Sequence, residues 1–254
     1  MVVRREGSEY IFIGMHVDDF IVFSNSARLY KEVYEAYFSR VDGEDGPLDY
    51  YNGVNFEVDY TQQTIKLSSE RTIDSIVQRY GTPLRQTTVP AVVESASLPE
   101  EPLPEVGSPL WEALRARAER YRSQVPAMLF ATTTTRAECA WSMGVLCRCL
   151  DNPSEKHLDA ADLLMAYMYH TKTAGVKYGG VKEQEGLNAT YSPLKNELDS
   201  LTDSNWSTGR SISGFLIFLA GGPIAWCSKK QPVTSLSSTE AGSTTLRLRV
   251  AWTW

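Results

Sequence analysis

Two β-type apolar runs stand near the start of the chain, Tyr10-Ile11-Phe12-Ile13 and Phe20-Ile21-Val22-Phe23. Between them lies a short segment with a polar centre, Gly14 to Asp19, which is a hairpin pattern. Residues 28–40 then read as an amphipathic helix, with Leu29, Val33, Ala36 and Tyr37 on one stripe. Residues 50–58 and 64–67 predict a second strand pair. Residues 70–80 predict a helix, with Ser68 or Ser69 as N-cap and Gly81 at its end. Residues 83–110 hold six of the twelve prolines, Pro99, Pro102 and Pro104 among glutamates, and predict an exposed linker.

Helical patterning resumes at residues 110–121, where Arg115, Arg117, Arg120 and Arg122 form either a solvated face or a phosphate-tracking one. Residues 138–150 predict a mostly apolar helix, broken by Asn152-Pro153-Ser154. Residues 155–170 follow as a helix with Leu158, Ala161, Leu164, Met165 and Met168 inward. Strand character returns over 196–254. No internal repeat is visible.

Composition narrows the function classes. Hydrophobic residues at 43% and charged residues at 22% over 254 positions exclude wholesale disorder. A net charge of −6 argues against a nucleic-acid binder working by bulk charge, although local basic surface remains open. The longest uncharged apolar stretch, residues 214–227, is shorter than the roughly 20 residues of a membrane span, and no secretory signal is visible. Cys139, Cys147, Cys149 and Cys227 form no C-x-x-C pair, and reduced, buried thiols in an intracellular protein are expected. His16, His157 and His170 are too scattered for a zinc site, and His157 is expected to pack on a helix face.

The candidate chemistry centres on Asp18 and Asp19. Adjacent carboxylates between apolar strands are costly to hold together unless solvent or cations neutralise them. Projected from a hairpin tip into a cleft, they would suit Mg²⁺, a hard cation taking oxygen ligands. The bland alternative is a polar turn.

The surrounding residues resemble the copia-type retrotransposon Pol polyproteins. His16-Val17-Asp18-Asp19 is similar to their Tyr-x-Asp-Asp hairpin, and Tyr50-Tyr51-Asn52-Gly53-Val54 to their Y-F-L-G-I strand. Further blocks follow in the family's order. They are Tyr121-Arg122-Ser123 through Arg136, Asn152-Pro153-Ser154 with His157 and Ala161, and Asp203-Ser204-Asn205-Trp206. Then come Arg210 to Phe215, Ile224 to Gln231 and Leu236 to Ala241.

The resemblance implies an α+β architecture in four parts. Residues 1–82 would be the C-terminal part of a reverse-transcriptase palm, 83–110 the linker, and 111–195 a helical thumb or connection. Residues 196–254 would be a truncated α/β ribonuclease H-like domain, with a strand over 198–206, a hairpin of 214–219 and 223–228 around Ala220-Gly221-Gly222, and a helix from near Ser238. Asp18, Asp19 and Asp203 would be catalytic Mg²⁺ ligands. His16, in place of the family's Tyr, and Lys229 and Lys230 would touch nucleic acid, either a template-primer or an RNA/DNA hybrid.

Neither metal centre is expected to be complete. A further palm carboxylate would lie upstream of this chain, and another nuclease Asp beyond Trp254. The nuclease helix carries Gly242 where the family has its metal-facing glutamate. Glu240, two residues away, points about 200° around the helix. The expectation is therefore a segment of a family that copies RNA into DNA and degrades the RNA strand, inactive by itself. The alternative is a domesticated, non-catalytic nucleic-acid-binding or scaffold protein. Exposed apolar sheet faces would make the chain weakly stable.

Overall fold

The computed structural model describes residues 2–40, 46–83, 85–90, 105, 107–151, 153–180, 198–205 and 210–243. The architecture is α+β, with three antiparallel sheets and a central helical group.

The first sheet is a meander of β1 (Val2–Glu6), β2 (Glu9–His16) and β3 (Asp19–Ser24). Strand alternation sends Ile11, Ile13 and Val22 to one face, where Leu29 and Val33 of α1 (Ala27–Ala36) cover them. Ser26 caps α1 by accepting a hydrogen bond from the Leu29 N–H. The helix ends earlier than its apolar pattern predicts. A 3-10 turn, Phe38–Arg40, replaces the last turn, and Phe38 packs edge-on against Phe20 at 5.0 Å. Ala36 and Tyr37, expected on the buried stripe, are instead exposed, because the small sheet offers only enough surface to cover Leu29 and Val33.

The predicted strand over 50–58 is two strands, β4 (Tyr50–Tyr51) and β5 (Val54–Asp59). Asn52 and Gly53 both take positive φ, 46° and 83°, which makes the tight turn suited to an Asn-Gly pair. A Cβ on Gly53 would lie 2.7 Å from Phe130 Cζ, so this turn also packs closely against a helix. β6 (Thr64–Ser68) pairs with β5 on one side. On the other it pairs with β7 (Gly175–Gly179), drawn from more than 100 residues further along the chain.

Helix α2 spans Glu70–Tyr80 as predicted, between Ser69 and Gly81. Ser69 makes no capping bond. Its hydroxyl shares a 2.7 Å hydrogen bond with Thr135 at the end of α3. Residues 84, 91–104 and 106 of the expected linker lie outside the described residues, and its last two positions belong to α3 (Pro109–Thr134).

Helix α3 runs well beyond Tyr121 and carries Pro126 inside it. Proline removes one helical hydrogen bond. Burial of Val125, Met128 and Ala131 on the same helix offsets that loss. The predicted helix over 138–150 is a 3-10 turn, Ala137–Cys139, followed by α4 (Ala140–Cys147). Helix α5 (Glu155–His170) has its predicted bounds, and its five inward residues are all buried. His157 is buried in a capping box, its Nδ1 accepting from the Ser154 N–H at 3.1 Å.

Residues of α2, α3, α4 and α5 share one core. Residues 1–82 thus serve two packing units. The first hairpin and α1 hold a small core of their own, whereas α2 joins the helical core.

The third sheet has the order β10-β9-β8, from β8 (Asp199–Ser204), β9 (Ile212–Leu219) and β10 (Gly222–Lys230). Ala220 and Gly221 form the β9–β10 turn, both at positive φ. Gly222 has already entered β10, where a Cβ would lie 2.5 Å from the Lys177 carbonyl of β7. A short helix follows at residues 238–243. Trp206 and the tail from 244 onward lie outside the described residues.

Candidate functional site

Asp18 and Asp19 sit where the sequence pattern puts them, at the β2–β3 tip. Val17 opens this two-residue turn with φ of 57°, a left-handed conformation that costs a β-branched residue more than most. His16 pairs with Asp19 across the strands. All four residues are exposed at the tip. Among the described residues the aspartates stand exposed at the surface tip rather than inside a cleft. A cavity of about 580 Å³ lies elsewhere, lined by Gln86, Thr87, Thr88, His170 and Thr171.

Asp203 belongs to a different sheet. It lies on the edge strand β8, opposite Gly214, and its Oδ1 accepts from the Ser204 N–H at 2.8 Å. Register places Asp203, Gly214 and Ser228 in one cross-strand row. Lys230, beside Ile212, falls on the same face as Asp203, and Lys229 falls on the opposite one. Both lysines are exposed at the end of β10. Gly242 lies in the 238–243 helix with no heavy atom within 4 Å of where its Cβ would be, so the helix has room but no carboxylate there.

The structure thus leaves Asp18 and Asp19 together at one tip and Asp203 on another sheet. Among the described residues, no three His, Cys, Asp or Glu side chains are grouped so as to hold a metal ion. A two-metal phosphoryl-transfer centre needs ions about 4 Å apart, bridged by shared carboxylates. This donor set does not fit one.

The arginines of α3 are engaged within the molecule. Arg117 pairs with Asp159 at 2.6 Å and Arg120 with Asp162 at 3.1 Å, both on α5. Arg122 donates to the Leu150 and Asp151 carbonyls. A phosphate-tracking face would have to give up these bonds, so the packing favours the structural reading.

No disulfide joins the cysteines among the described residues, and burial raises the pKa of Cys139, Cys147 and Cys227. Such thiols are poor nucleophiles and poor metal ligands.

Two positioning features were not read from the sequence. Arg136 is fully buried, donating to Glu138 at 2.6 Å and to the Thr171 hydroxyl at 2.6 Å and carbonyl at 3.2 Å, with its guanidinium over Tyr167. Trp226 Nε1 donates to the Thr132 carbonyl at 2.8 Å, fixing β10 on α3. Both residues lie inside the family-like blocks, which was the available signal. Among the described residues, no helix is long and apolar enough to cross a membrane.

No family model matches the chain, and no solved structure does. Curated relatives do. A retrovirus-related Pol polyprotein from transposon TNT 1-94 of Nicotiana tabacum is 24% identical over 94% of the chain. The chain spans only 17% of that polyprotein's length. The putative transposon Ty5-1 protein YCL074W of Saccharomyces cerevisiae is 26% identical over 91% of the chain and 70% of its own length. Secreted RxLR effector protein 161 of Plasmopara viticola is 32% identical over 47% of the chain and 79% of its own length. Over 91–95% of its length the chain is thus similar, at 24–26% identity, to transposon proteins of the copia-type retrotransposon Pol family.

Proposed function

We propose that the chain is a non-catalytic portion of a copia-type Pol polyprotein. It joins the active-site hairpin of a reverse-transcriptase palm, through a helical connection, to the first strands of a ribonuclease H-like sheet. The antiparallel hairpin with its Asp-Asp tip supports the first assignment, and the β10-β9-β8 meander with Asp203 on β8 supports the second. The observation that carries the inactive reading is that, among the described residues, no group of three or more His, Cys, Asp or Glu side chains could hold a metal ion, neither around Asp18 and Asp19 nor around Asp203, with Gly242 on the nuclease-like helix. In this reading the chain's own contribution is architectural. Trp226 and the Gly222 approach hold the nuclease-like sheet against α3 and β7, and Lys229 and Lys230 offer cations to a hybrid backbone.

The test is primer extension and RNA-strand cleavage by the purified chain with Mg²⁺ or Mn²⁺. Neither is expected above background. Extension abolished by Asp18→Asn, or cleavage abolished by Asp203→Asn, would sink the reading.

A second reading, a free-standing binding or scaffold protein, is favoured by one observation. The chain aligns with most of the length of the yeast and Plasmopara proteins, neither of which is a long polyprotein match. It expects salt-dependent hybrid binding whose slope falls by about two when Lys229 and Lys230 are both changed to alanine.

A further inference from the structure

We draw no further inference here: the strongest candidate, the exposed face of the β1-β2-β3 sheet that carries Val3, Phe12 and Phe23, is an unpartnered apolar surface, and nothing in the structure shows what covers it.

Discussion

Replacing Arg136 tests the central claim about how the helical core is held. Its side chain is fully buried, its partner Glu138 is 41% exposed, and its remaining bonds go to Thr171 at the end of α5. Arg136→Met keeps the length and removes the fork. Breaking a buried ion pair costs about 3–5 kcal/mol, and the wetter carboxylate places this one near about 3 kcal/mol. At this chain length each kcal/mol moves the melting temperature by roughly 2–4 °C, so a loss of roughly 6–12 °C is expected. Arg136→Lys should fall between, since an ammonium cannot reach the carboxylate, hydroxyl and carbonyl together. A double-mutant cycle with Glu138→Gln, read by chemical denaturation, should give a coupling of about 1 kcal/mol. A methionine variant melting within roughly 2 °C of the parent would refute the reasoning, because no buried charge would then be tying α3 to α5.

Gly53→Ala should destabilise the chain by about 2 kcal/mol, combining a positive φ with the Phe130 contact, and Phe130→Leu in the same chain should recover part of the loss in urea titration. The first hairpin should be acid-labile. Hydrogen bonds from Arg28 hold Glu6 and Glu9 below the usual carboxylate range. Their contribution is present above the unfolded value of 4.5 and is lost as pH falls through the lower folded values. Amide-exchange protection in β1 and β2, relative to intrinsic exchange at the same pH, should therefore fall below about pH 4.5, and less so in Arg28→Met. Equal pH dependence in both proteins would count against the Arg28 bonds.

Several elements were legible from local pattern alone. The helices over 70–80 and 155–170 have their predicted bounds, since each carries a clear apolar stripe between a serine and a break. The β2–β3 hairpin was legible because two apolar runs flank a polar centre. The ends of α1 and α4 were less so, because the amount of apolar helix that stays buried depends on the partner surface available. Pro126 was a local stop signal overridden by the buried residues on either side of it.

The linear order of residues determined the resemblance to a family and the residues that carry it: an Asp-Asp tip, a later Asp203, and Gly242 where the resembled pattern has a glutamate. Those are identities, and identity is local information. Only the tertiary structure decided that Arg117 and Arg120 of α3 are occupied by carboxylates of α5, and that residues 64–68 pair with residues 175–179. Each of these is a contact between residues far apart along the chain. Such contacts depend on which apolar faces find each other when the core forms, and no window of neighbouring residues contains both partners.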